Sequence, residues 1–212
     1  MDAWLEQALQ SWDDARRIWS EGGWAMIAIG VISFAMFAMG LHLWFQLRKK
    51  AFRSLPEATW RHWIDHPEER RGRIGELLDF VTGGVSLKQT TFFFRQLRST
   101  ETPPLERDLR VMKICVSAAP LVGLLGTVTG MLTTFGALAS GSGGDQTMGM
   151  IAAGISEALI TTETGLVIAL PGLFFHYKLS RDYQRYKVFL AHLESVCAQT
   201  LHHRTRPLAE AA

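Results

Sequence analysis

Two carboxylates stand where a polypeptide can least easily keep them. Glu157 and Glu163 lie in Ser156-Glu157-Ala158-Leu159-Ile160-Thr161-Thr162-Glu163-Thr164-Gly165, at the head of an apolar run, Ala158 to Tyr177, whose one charge is Glu163. Ionised side chains are costly in hydrocarbon, so such groups face protein or water rather than lipid. Thr127 and Thr162 place hydroxyls in the same apolar surroundings, and no Lys or Arg occurs in any of the three apolar runs. Compensation must therefore come from a lined cavity, a bound cation or a proton, and the chemistry these residues suit is ion handling. No nucleophile and base are paired and no metal-ligand spacing stands out, so neither catalysis nor a metal site is expected. His62, His66, His176, His202 and His203 lack a partner spacing and read as solvated or interfacial. Cys115 and Cys197 fall toward a reducing side and read as packing residues.

The elements that hold these groups are membrane spans. Gly22 to Leu47 is a run of 26 residues without Asp, Glu, Lys or Arg, and Ile114 to Gly144 is another of 31. A hydrocarbon core about 30 Å thick needs about 20 helical residues to cross it, so each of the three runs is long enough. The mean hydropathy of +0.09 conceals this, because the charges are collected between the runs. Residues 48–113 hold 14 of the 22 Lys and Arg, the tail from Lys178 holds 6, and the first 21 residues hold only Arg16 and Arg17. The positive-inside rule then places the N-terminus and the loop between the second and third spans outside, and the middle segment and tail in the cytoplasm. The expected order is an outer amphipathic helix over 1–21, spans at 22–47, 114–138 and 156–177, a cytoplasmic helical segment at 48–113, an outer loop at 139–155 and a cytoplasmic helix and tail at 178–212. The fold class is an all-α membrane protein whose second and third spans extend into a helical cytoplasmic domain.

Within that frame, local patterns predict further detail. Asp2, Glu6, Asp13 and Asp14 exclude a cleaved signal, and Trp4, Leu5, Ala8, Leu9, Trp12, Ala15 and Trp19 make one face of an interfacial helix. Ile74, Leu77, Leu78 and Val81 recur at helical spacing, Gly83-Gly84 is a stop, and Thr102-Pro103-Pro104 predicts another break. Phe92, Phe93 and Phe94 cannot share one narrow face, so at least one packs on another helix or subunit. Basic residues are not interleaved with aromatics in a stripe, and nucleic acid is not expected as a partner.

In the second span, Pro120, Gly123, Gly126 and Gly130 offer a face without side chains that suits close helix packing in lipid, here expected against neighbouring subunits. Gly165 and Pro171 extend the pattern to the third span. If that span runs from about Ser156, Glu163 sits about 9 Å deeper than Glu157 and near the midplane, with Thr127 and Thr162 at a similar depth. Glu163 and Thr162 lie about 120° and 140° round the helix from Glu157, in opposite senses, so one subunit cannot turn all three into one narrow pore. An assembly is the better explanation.

Two stretches carry a resemblance. Ala119-Pro120-Leu121-x-Gly123-Leu124-x-Gly126-Thr127-Val128-x-Gly130-Met131, followed by Gly154-Ile155-x-Glu157-Ala158-Leu159-Ile160-x-Thr162-x-x-Gly165-Leu166-x-x-Ala169-x-Pro171, resembles the ExbB/TolQ/MotA family of ion-driven motor subunits. The three-span layout looks like the ExbB and TolQ branch. The resemblance implies a pentamer in the bacterial inner membrane around a dimer of a single-span ExbD- or TolR-like partner, and a further TonB- or TolA-like protein as client. It implies translocated H⁺, with Na⁺ the alternative, no bound cofactor, and Thr127, Glu157 and Thr162 along the route. Glu163 departs from the family pattern, where an uncharged residue is usual, and is added to the route on physical grounds. The competing function class is a passive membrane scaffold, which would need the glycines and gain nothing from Glu163.

Overall fold

The computed structural model describes Trp19 and residues 22–50, 56–82, 87–139 and 144–209, with side chains at all of these except Leu87 and those beyond His202. Five α-helices and a short 3-10 turn make up nearly all of these residues, and no strand occurs among them. The helices are α1 (Gly23–Lys49), α2 (Glu57–Asp65), α3 (Gly72–Thr82), α4 (Leu87–Ala139) and α5 (Asp145–Ala209), with the turn at Pro67–Glu69. α1, α4 and α5 are long and apolar enough to cross a bilayer. Apart from Trp19, the amphipathic helix expected over 1–21 lies outside the described residues, as does the Gly83-Gly84 stop.

Two of the long helices differ from expectation. α4 continues through Thr102-Pro103-Pro104 without a break. A proline inside a helix removes one backbone hydrogen bond and crowds the preceding turn, at roughly 3 kcal/mol each. Against that stand Phe94, Leu105, Leu109 and Met112, all buried along one side of α4, at about 1.5–3 kcal/mol per side chain. Packing therefore outweighs the local breakers. α5 begins at Asp145, well ahead of the expected start of the third span at 156. The acidic Asp145 complements the positive end of the helix, and Gly144, at φ 127, turns the chain into it while its carbonyl accepts from the Thr147 amide at 3.1 Å.

The chain forms two compact units, each from separated stretches. The first comprises Met1–Met39 with Val111–His176, and the second Gly40–Arg110 with Tyr177–Ala212. In the first, α1 buries Ala25, Met26, Ile29 and Met36, and the Met36 thioether packs against Gly172 of α5.

The second unit has a soluble-type core of Trp60, Ile64, Ile74, Leu78, Val81, Phe94, Leu193, Val196 and Cys197. Among the three adjacent phenylalanines, Phe94 enters this core, Phe93 packs on its edge and Phe92 is exposed. Arg70 ties the α2–α3 connection: its guanidinium donates to the Trp63 carbonyl at 2.7 Å, to Asp79 at 2.7 Å and to Thr82 Oγ1 at 2.8 Å. Glu101 of α4 meets Lys50 and accepts from the Tyr186 hydroxyl at 3.3 Å. Burial pushes the Tyr186 phenol up to about 12 and the Cys197 thiol up to about 11. Burial also lowers Lys50 to about 8, with the nearby Arg73 charge acting in the same sense, even though Glu101 lies against it.

Candidate ion pathway

Small residues recur at turn spacing along both the second and the third span, and they set how closely the helices approach. A Cβ on Gly123 would lie 2.8 Å from the Thr161 carbonyl oxygen, one on Gly130 2.7 Å from the Gly154 oxygen, and one on Gly165 2.8 Å from the Ala119 oxygen. At Gly126 it would meet the Thr161 side chain, with Thr161 Cβ at 2.6 Å. None of the four positions has room for a side chain. The glycine face expected against neighbouring subunits is thus occupied inside one chain. The reason is that Gly154, Ala158, Thr161 and Gly165 form an equally small stripe on α5, and two such stripes mesh more closely with each other than with larger side chains. Pro120 is half-buried and Pro171 exposed, both within uninterrupted helix.

This meshing fixes an antiparallel register, with Gly130 opposite Gly154, Gly126 opposite Thr161, and Gly123 opposite Thr162 and Gly165. By the same register Thr127 stands level with Ala158, beside Glu157, and Glu163 stands level with Val122. The expectation that Thr127, Thr162 and Glu163 share one depth is therefore corrected. Thr127 lies at the level of Glu157, near the middle of the uncharged part of α4, and Glu163 lies about 9 Å further toward the inner end expected from the charge pattern. The expected depths assumed a span start, whereas contact between backbones determines the register.

The hydroxyls divide into two kinds. Thr162 Oγ1 donates across the helix pair to the Gly123 carbonyl at 3.0 Å. Thr127 Oγ1 donates to its own helix, to the Leu124 carbonyl, at 2.6 Å, and Thr164 does likewise to Ile160 at 2.8 Å. Thr161, fully buried, bonds back to the Glu157 and Ala158 carbonyls, each at 3.0 Å. Glu157 and Thr162 flank the buried stripe of α5 on opposite sides. Glu157 is half-buried and helps line a cavity of about 410 Å³ with Thr133, Gly136, Ala137, Met150, Ala153 and Gly154. Its carboxylate also lies against Gly23, at the start of α1.

Glu163 is placed apart from the others. It is exposed, roughly 170° round α5 from the centre of the buried stripe, and makes no hydrogen bond or ion pair among the described residues. Leu159, Leu166, Val167 and Leu170 are exposed around it. The sequence gives Thr161 and Gly154 only as members of motifs, without a packing role, and does not single out Gly23. Gly154 and Ala158 could have been found as the mirror of Gly126-xxx-Gly130. Gly23 could not, because its partner is 134 positions away. Among the described residues no cluster of His, Cys, Asp and Glu could hold a metal ion.

The MotA/TolQ/ExbB proton channel family matches residues 78–191, a stretch that includes both motifs and every residue of the pathway set. The ExbB-like 3 biopolymer transport protein of Synechocystis is 26% identical over 165 residues, covering 71% of this chain and 78% of the relative. ExbB of Xanthomonas campestris is 37% identical over 99 residues, covering 44% and 38%. The Tol-Pal system protein TolQ of Pseudomonas aeruginosa is 32% identical over 108 residues, covering 49% and 46%. The matches thus span less than half the length of the ExbB and TolQ relatives.

Proposed function

The chain belongs to the MotA/TolQ/ExbB proton channel family, and from that premise we propose that it is one of five identical subunits of an inner-membrane motor that turns a proton gradient into work for biopolymer transport. The pentamer surrounds a dimer of a single-span ExbD- or TolR-like partner, and a TonB- or TolA-like protein carries the work to the envelope. Protons, rather than Na⁺, are the translocated ion. The N-terminus lies outside and the second compact unit in the cytoplasm, as the distribution of Lys and Arg favours.

The observation that carries this reading is half-buried Glu157 opening to a cavity, in spans that contain no Lys or Arg. A carboxylate without a fixed countercharge in hydrocarbon needs a mobile one, and a proton or hydrated cation supplies it. Thr162 gives its only hydroxyl proton to Gly123 and so keeps its oxygen lone pairs as acceptors, suited to orienting a water or a proton donor from the partner helix. A passive scaffold would use the meshed glycines equally well, but it has no use for Glu157 beside a cavity.

The test is Thr162→Val, which removes the hydroxyl at nearly constant shape. An interhelical bond of this kind in a membrane is worth about 0.6 kcal/mol on average and less than about 2. Abundance and oligomeric state should therefore hold, while gradient-driven activity of the chain with its partner falls at least about tenfold. Undiminished activity would reduce Thr162 to a packing residue.

A further inference from the structure

Glu157 reaches past its own helix pair to the outer end of α1. Its Oε1 occupies part of the volume that a Cβ on Gly23 would fill, and its Cδ lies 3.0 Å from that Cβ position. Gly23 is the first residue of α1 and has φ 55, in the left-handed region. Two separate demands thus fall on one residue: a backbone conformation that glycine adopts without strain, and space for a carboxylate from another span. The Met26 amide donates to the Gly22 carbonyl at 3.3 Å, so the helix winds from this point and its first-turn amides present the positive end of the dipole. Glu157 places its negative charge there while the same side chain lines the cavity with Thr133 and Gly154.

We propose that Gly23 is a positioning residue for the Glu157 carboxylate: by having no side chain, it lets the carboxylate rest on the first turn of α1, in the orientation that faces the cavity. This deepens the pathway reading of Glu157 and rests on it. The outer end of span one then belongs to the ion route, although the first turn of α1, Gly23 to Met26, supplies no ionisable side chain. A methyl at Gly23 would push the carboxylate off the helix start and change what it meets.

Gly23→Ala alone confounds the contact with backbone strain, so the test is a double-mutant cycle with Glu157→Ala, in the full chain assembled with its partner. Backbone strain is the same in both backgrounds, whereas the clash exists only where Glu157 is present. Gly23→Ala should lower the thermal midpoint by several degrees with Glu157 in place and by less than half as much with Glu157→Ala. It should also move the infrared carboxylate band assigned by difference against Glu157→Gln, and lower proton conduction in proteoliposomes about tenfold or more. Equal destabilisation in both backgrounds with an unmoved band would overturn the proposal and leave Gly23 a turn residue. The two readings fail differently. Conduction lost in Glu157→Gln but uncoupled to Gly23 overturns the positioning role alone, while full conduction in Glu157→Gln removes the pathway reading and the proposal with it.

Discussion

Glu157 and Glu163 sit six positions apart on one helix and meet different surroundings. The first is half-buried beside a cavity and the start of α1, and the second is exposed among Leu159, Leu166 and Val167. Lipid cannot be the native neighbour of the second without a desolvation cost, which on the insertion scale reaches roughly 2.5–3.5 kcal/mol at the centre of a span. In the proposed assembly it therefore faces polypeptide or water. Glu163→Gln keeps the side-chain size and cannot ionise. With the proton and sodium gradients applied separately, wild-type activity should follow protons, and Glu163→Gln should reduce it severalfold while the oligomer persists. Full activity in that variant would take Glu163 out of the ion path, and wild-type activity that tracked sodium would overturn the proton assignment.

At the scale of elements, the central fact is the meshing of α4 with α5. Thr161 is fully buried with its hydroxyl bonded to two carbonyls, so it cannot move aside for a larger residue at Gly126. Gly126→Ala should destabilise the folded chain by about 1–3 kcal/mol through overpacking, and Gly126→Leu by more. Thr161→Gly reopens the space from the opposite side, so the double variant Gly126→Ala with Thr161→Gly should recover part of the loss. Thermal unfolding in detergent reads both. An equal loss in the single and double variants would mean that the two positions do not bear on each other. Long-range packing of this kind also explains why α4 passes through Pro103-Pro104, where residues taken one turn at a time predict a break.

For the molecule as a whole, the proposed orientation rests on where the basic residues lie, 14 of them within residues 48–113. A single cysteine introduced at Gln146, exposed at the start of α5, should react with a membrane-impermeant maleimide in intact spheroplasts. One introduced at Ser195, exposed on the same helix, should react only after permeabilisation. Both are made in a Cys115→Ser background, since Cys115 is only half-buried. The native Cys197 should not compete, because it is buried and burial holds its thiol up to about 11, leaving little thiolate at neutral pH. Labelling at Ser195→Cys in intact spheroplasts would invert the topology and place the second compact unit outside.

Hydropathy and charge bias are sums over residues, each of which contributes almost independently of its neighbours in space. That is why three spans, the polar set Thr127, Glu157, Thr162 and Glu163, and the two glycine-rich motifs could be read along the chain. Register depends instead on how atoms fit across pairs such as Thr162 with Gly123, 39 positions apart. One turn of helix, about 5.4 Å, is invisible to a hydropathy average, yet it decides that Thr127 stands level with Glu157 rather than Thr162. The same applies to direction around a helix: composition places Glu163 in the third span, but only the buried stripe of Gly154, Ala158, Thr161 and Gly165 shows that it points away from the second. Gly23 is the extreme case, because one missing side chain matters through a carboxylate that only the folded chain brings to it.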